Sequence, residues 1–146
     1  MQLKQIMDHL NEMGGMAPTL GLEFSFDGEV PVCRLALNQS HMGAPGIAHG
    51  GAVMTLLDSA LGVHAMQHAL TKGKATSTVE LKVNFLRPAK IGQTLYTETT
   101  IQSAGRSLLV MSGTAIDEET GKKIAFAVGT FNLYDYERSR EKSEEK

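Results

Sequence analysis

Apolar positions recur along the chain first at helical spacing and then in alternation. Residues 2–13 place Leu3, Ile6, Met7 and Leu10 at helical intervals, which predicts a short amphipathic helix that "GGMAP" then breaks. From Leu22 the period is two. Leu22, Phe24 and Phe26 alternate with polar residues, Asp27-Gly28 supplies a turn, and Cys33, Leu35 and Leu37 continue the pattern. This reads as a hairpin in which Pro31 marks an edge or a bulge. "NQSHMGAPGIAHGG" is then a glycine-rich loop that delivers the chain to a helix from about Gly51 to Ala69. Its apolar residues, among them Val53, Leu56, Leu57, Ala60, Leu61 and Met66, lie on every side, so the helix is buried and not laid on a surface.

"TKGK" ends that helix and alternation resumes. Val79, Leu81, Val83 and Phe85 form one strand, closed by "RPAKIG". Residues 93–103 are rich in Thr and β-branched side chains, as strands are. A turn at Gly105 leads to a strand over Leu108–Ile116, and "DEETG" turns the chain into another over Ile124–Leu133. The order is helix, two strands, one long buried helix, then an antiparallel meander. That order predicts an α+β fold, with a curved antiparallel sheet wrapped around the central helix. One such sheet cannot cover the helix completely, which calls for a partner subunit. The expected domain is single, spanning 1–134, and the charged stretch 135–146, "DYERSREKSEEK", is expected to be disordered.

Composition narrows the function classes. With 42% hydrophobic and 21% charged residues the chain is ordinary for a globular domain, and a net charge of −2 offers no footprint for nucleic acid. No basic run suggests a membrane surface, and the polar N-terminus lacks the apolar core of a secretory signal. Cys33 is the single cysteine; it excludes an internal disulfide, fits a reducing compartment and, in its alternating register, reads as a buried structural thiol. A cytoplasmic enzyme or binding protein is expected.

One residue changes this picture. Asp58 is the only Asp, Glu, Lys or Arg between Arg34 and Lys72, and it sits in the apolar helix. A carboxylate there is expensive to bury unless paired or hydrogen-bonded. The glycines Gly50 and Gly51 stand where the helix begins, and the first N–H groups of a helix form a ready site for an anion or a polarised carbonyl oxygen. Asp58 follows Gly51 by two turns on the same stripe, roughly 10 Å along the axis. That is too far for both to act on one carbonyl, so if they cooperate they come from different subunits. The structural alternative is that Asp58 caps a neighbouring backbone or pairs with Arg87 or Lys82. His64 and His68 stand at i, i+4, but with no Glu between them and no third ligand the spacing makes a weak metal site. His49 is placed to touch a substrate oxygen or to brace the loop. Ser59 or Ser40 would need a nucleophile elbow that the chain lacks.

"HMGAPGIAHGGAVMTLLDSALG" together with "TSTVELKVNFLRPAKIG" resembles the hot-dog fold acyl-CoA thioesterases, in the branch that includes phenylacetyl-CoA-pathway thioesterases. The similarity runs over roughly residues 18–134, and its specific part is the HGG-x6-D spacing followed by a strand ending in "LRP". The resemblance implies dimers or dimers of dimers, with active sites between subunits and an acyl-CoA substrate. It implies Asp58 as nucleophile or general base, and the Gly50 amide beside His49 as the group that polarises the thioester carbonyl. A hydroxyl at Thr78 would help to place water or the carboxylate, and Gly51 and His41 would contact substrate. No cofactor or metal is implied. The family often carries Asn where this chain has Gly43, and "GAPGIAHGG" is closer to the branch of mammalian mitochondrial medium- and long-chain acyl-CoA thioesterases. Arg87, Lys90 and Arg106, at strand ends, are candidates for the CoA phosphates and read equally as solvated surface charge. A non-catalytic acyl-CoA-binding or regulatory hot-dog protein is the alternative. A hot-dog dehydratase would carry a His/Asp loop signature not found here.

Overall fold

The computed structural model describes residues 3–12 and 14–135. Helix α1 (Leu3–Glu12) buries Met7, and a five-residue helix α2 (Met16–Leu20) follows where "GGMAP" reads only as a breaker. Strands β1 (Leu22–Asp27) and β2 (Val30–Ala36) form the expected hairpin. The glycine-rich loop has structure of its own: a 3-10 turn over Gln39–His41 and a small hairpin of β3 (Met42–Ala44) and β4 (Ile47–Ala48). Helix α3 (Gly50–Leu70) comes next, then β5 (Lys74–Phe85), β6 (Thr94–Ala104), β7 (Leu108–Asp117) and β8 (Lys123–Asp135). The tail expectation falls beyond Asp135, outside the described residues.

Six strands make one antiparallel sheet in the order β1-β2-β6-β7-β8-β5, and α3 lies across one face of it. The helix packs against β2, β5, β6, β7 and β8. Leu35 of β2, Leu95 of β6, Leu109 and Met111 of β7, and Phe131 of β8 are all essentially inaccessible, as are Leu56, Leu57 and Leu61 of α3. The closest approach falls at Leu61. A Cβ on Gly113 would stand 2.9 Å from Leu61 Cδ2, and one on Gly129 would stand 3.2 Å from Leu61 Cδ1. Glycine on two adjacent strands is therefore what lets the helix settle at this depth, and interiors packed to crystal density tolerate little added volume. Cys33, 1% exposed, is the structural thiol the alternation predicts; burial pushes its thiol up to about 12.

Strands β2 and β6 share only three paired positions, Arg34 to Ala36. Beyond them the Thr97 hydroxyl takes over, accepting from the Cys33 N–H at 3.0 Å. Pro31, which has no N–H to offer a ladder, lies in this parted stretch. A second irregularity lies on β5, where the register with β8 shifts between Thr78 and Glu80. Such a bulge re-aims side chains. Thr78 thereby faces α3, and Val79 projects 59% exposed.

Two histidines of α3 make the fold sensitive to acid. His64 Nδ1 meets the Thr99 hydroxyl at 2.8 Å, and its pKa is lowered by burial and then by His68. His68 is lowered by burial and then by Lys72, and its Nε2 is sealed with no hydrogen-bond partner among the described residues. Both favour the neutral ring in the folded state, so below the ordinary His value of about 6.5 the unfolded chain binds more protons. Stability is therefore complete above that value and declines as pH falls through the lower folded-state pKa values. Thermal midpoints measured between about pH 8 and pH 5 are expected to drop on the acid side, and His68→Leu to flatten that decline; a flat wild-type profile contradicts this assignment.

Candidate functional site

The N-terminus of α3 is built by its own loop. His49 is the N-cap, and its Nδ1 accepts the Gly51 N–H at 2.8 Å, while the Ala52 N–H reaches the His49 carbonyl at 3.0 Å. An acceptor Nδ1 leaves Nε2 of this exposed ring as the donor. The Gly51 amide is thus consumed inside the cap, which corrects the expectation that Gly51 offers an N–H to substrate. The Gly50 N–H has no partner among the described residues. It is the first amide of a long helix, where the dipole favours negative charge.

The loop before it leaves no room for a side chain. A Cβ on Gly43 would lie 2.7 Å from His49 Cα and 2.9 Å from His49 Cβ. An Asn at this position would therefore displace the cap residue, and Gly43 instead lets backbone close on backbone. His41 is 3% exposed, with Nδ1 accepting the Asn38 N–H at 2.9 Å and Nε2 at 2.6 Å from the Leu20 carbonyl. Both ring nitrogens are engaged by backbone, and the His41 carbonyl accepts the His49 N–H at 2.7 Å. His41 is a clamp of this loop, not the substrate contact expected of it. The signal was present in Asn38, whose side chain caps the same turn by accepting from Ser40.

Asp58 lies half-buried two turns along α3, and the Thr78 hydroxyl donates to its Oδ1 at 2.8 Å. No cation and no backbone N–H reaches it among the described residues. Arg87, one of the suggested partners, donates instead to the Lys123 carbonyl at 2.8 Å. Gly50 belongs to a different neighbourhood. A Cβ there would meet Phe85 Cζ at 3.2 Å, and the two residues line an apolar groove of about 440 Å³ with Val53, Leu86, Arg87 and Ile124. Eight residues of helix put Gly50 and Asp58 about 12 Å apart along the axis of one chain. One chain therefore holds the amide and the carboxylate at separate places.

Lys90 and Arg87 share a smaller adjoining cavity of about 270 Å³ next to that groove. Arg106 does not join them. Its carbonyl accepts Lys74 Nζ at 3.1 Å at the start of β5, whereas Phe85 and Arg87 lie at the other end. Eleven strand residues separate the two ends by about 35 Å. Within one chain Arg106 thus stands apart from Arg87 and Lys90. A wider cleft of about 500 Å³, between Phe26, Val32, Arg34, Tyr96 and Glu98, holds neither Asp58 nor Gly50. Among the described residues no three His, Cys, Asp or Glu side chains gather in a metal-binding arrangement, and no helix is long and apolar enough to cross a membrane.

The fold recurs in known proteins. The chain is 29% identical to mouse acyl-coenzyme A thioesterase 13 over 94 residues, which cover 64% of this chain and 66% of that protein, just under two thirds of its length. The structure of the E. coli PaaI protein from the phenylacetic acid degradation operon superposes with a TM-score of 0.79 at 21% identity, covering 90% of this chain and 93% of that one. The smu.793 protein of Streptococcus mutans, solved bound to acetyl CoA, matches with a TM-score of 0.68 at 21% identity over 78% of this chain and 89% of its own. The model of the thioesterase superfamily matches residues 45–124, the stretch that holds the capped helix, Asp58, Thr78 and the Arg87–Lys90 loop, and the chain belongs to that superfamily with its hot-dog fold.

Proposed function

We propose that this protein hydrolyses acyl-CoA thioesters at sites shared between two subunits, each joining Asp58 and Thr78 of one chain to the Gly50 amide of the other. The observation that carries this reading is the company Asp58 keeps. A structural carboxylate in an apolar helix needs a cation or backbone donors to offset its burial. Asp58 has a single neutral hydroxyl on Oδ1. Its Oδ2 is left to accept a proton from water or to attack a carbonyl carbon.

The chemistry needs little more. The thioester oxygen would lie against the Gly50 N–H, where the helix dipole stabilises the negative charge that develops on it. Water, deprotonated by Asp58, adds to the carbonyl carbon, the C–S bond breaks and Asp58 passes its proton to the leaving thiolate or to solvent. If Asp58 itself adds, the C–S bond breaks to leave an acyl anhydride on Asp58, which water then cleaves to free acid and carboxylate. The leaving thiolate is a weak base, with a pKa near the ordinary thiol value of about 8.5, so no strong general acid is required. Thr78 orients the carboxylate, and His49 holds the helix end with its Nε2 side toward solvent.

A second copy of the chain fits what one copy leaves uncovered. Val79, Phe85 and Leu86 are 59%, 53% and 49% exposed at the free edge of the sheet, beside the 38% exposed Met54 of α3. An unpaired strand of this length with apolar neighbours is a surface proteins cover. A two-fold partner would bring its helix N-terminus to Asp58 and present its own Asp58 to Gly50. The groove beside Gly50 runs to Arg87 and Lys90, which suits a thioester handle that ends in phosphates. The CoA-bound relative and the curated acyl-coenzyme A thioesterase support that substrate class. The lone buried thiol of Cys33 is consistent with work in the reducing cytoplasm.

Two substitutions test the site. Asp58→Asn keeps the shape and removes the base; thiol release from acyl-CoA is expected to fall by about 10²- to 10⁴-fold with the oligomer intact on gel filtration. Acyl-CoA that binds without being hydrolysed by wild type would instead favour a binding protein. Gly43→Asn pushes on His49 and tilts the Gly50 amide, and a misplacement of this kind is expected to cost about a hundredfold in kcat/KM; unchanged kinetics would mean that the cap does not position the amide.

A further inference from the structure

The last residue of β7 is a buried carboxylate that the hydrolysis above does not use. Asp117 is 3% exposed, the only buried Asp or Glu among the described residues. Arg87, Lys90 and Lys122 line the same cavity of about 270 Å³, together with Gln93 and Thr120. None of these cations pairs with it; the one ion pair among the described residues joins Arg34 and Glu118. Asp117 takes hydrogen bonds instead, from the Thr120 hydroxyl at 2.6 Å, Gln93 Nε2 at 3.2 Å and the Glu119 N–H at 3.4 Å. The Thr120 bond leads in holding its pKa below the usual carboxylate range, against the opposing effect of burial.

An ionised carboxylate can only accept. It therefore takes the NH2 end of the Gln93 amide and leaves Gln93 Oε1 facing the other way, where it accepts the Lys90 N–H at 2.7 Å. The Gln93 backbone is held as well, donating to the Lys90 carbonyl at 3.1 Å and accepting the Leu37 N–H at 2.8 Å. The loop closed in this way is stitched to the strand before the helix. The Ala48 N–H donates to the Ala89 carbonyl at 2.8 Å, and the Ile91 N–H to the Gly46 carbonyl at 3.0 Å. Ala48 stands two residues before Gly50.

We propose that Asp117 and Gln93 are positioning residues, a buried carboxylate locking an oriented amide so that the Arg87–Lys90 loop presents its cations at the end of the groove that starts at Gly50. This rests on the acyl-CoA reading, because the cations are taken to meet the phosphates of the handle. Asp117 satisfies itself with neutral donors, so Arg87 and Lys90 have no carboxylate partner among the described residues and can meet an incoming anion. A residue that merely stabilised the fold would affect every substrate alike. One that positions the loop affects only substrates with phosphates.

The test compares acyl-CoA with the same acyl group on pantetheine, which has the thioester and no phosphate, for wild type, Gln93→Ala and Asp117→Asn. For Gln93→Ala the proposal expects KM for acyl-CoA to rise about tenfold, the size of one charge-assisted contact, with kcat unchanged and acyl-pantetheine kinetics unaffected. Equal losses on both substrates, or no change on either, overturn it. If Gln93→Ala does not fold by circular dichroism, Asp117→Asn carries the same comparison, since Asn no longer dictates which end of the Gln93 amide it receives. If wild type hydrolyses neither substrate the thioesterase reading fails, and calorimetry with CoA decides the rest. Binding weakened about tenfold in the variants then upholds the positioning role, whereas equal binding, or none by wild type, rejects it.

Discussion

Most of this molecule follows from seating a helix that is apolar on every side, and of its large apolar side chains only Met54 and Leu70 stay exposed. Leu56, Leu57 and Leu61 turn toward the strands, and glycines at 113 and 129 let Leu61 sink until its methyls nearly touch the sheet backbone. Among the large apolar residues left exposed are Met54 of α3 and, on or just after the edge strand β5, Val79, Phe85 and Leu86. The hydrophobic effect acts on those residues as it does on the core, and the proposed second chain would cover them.

The same seating fixes where chemistry can occur. Asp58 emerges on the side of α3 that faces β5, and the bulge after Thr78 turns that hydroxyl onto it. The helix N-terminus opens on the far end of the same strand, against Phe85. A carboxylate with a free oxygen and an amide with no partner are thus built on one rigid element, yet held about 12 Å apart. Rigid placement of both groups suits catalysis, where misplacement is costly, but only if two copies meet.

Long-period features were legible in the sequence because they depend on periodicity. The central helix, the hairpin at Asp27-Gly28 and the four later strands were all visible, and so was the oddity of Asp58. Features that depend on a single hydrogen bond were not. A His before two glycines reads the same whether it meets substrate or, as His49 does, takes the Gly51 N–H itself. His41 looks like a motif residue until both its nitrogens are found on backbone. Arg106 and Arg87 both read as strand-end cations, and only the length of β5, whose first residue Lys74 reaches the Arg106 carbonyl, sets them apart within one chain. Gly43 departs from the family pattern, and only the approach of His49 explains why no side chain fits there. Gln93 and Asp117 carried no signal at all, since their partners come from three separate segments.

The claim on which the rest hangs is that each site draws on two chains. Complementation tests it most directly, with Asp58→Asn mixed with Gly50→Pro after both are unfolded and refolded together. Proline is suited to the first helical position, where it removes the N–H in question; its Cβ would stand 3.2 Å from Phe85 Cζ, a contact that the ring must ease, and His49 already has the extended backbone favoured before proline. Each variant alone should be inactive. If sites are shared, a mixed dimer keeps one complete site, and the mixture should recover roughly a quarter of wild-type activity. If amide and carboxylate act within one chain, no chain in the mixture holds both, and activity should stay at the level of the separate variants.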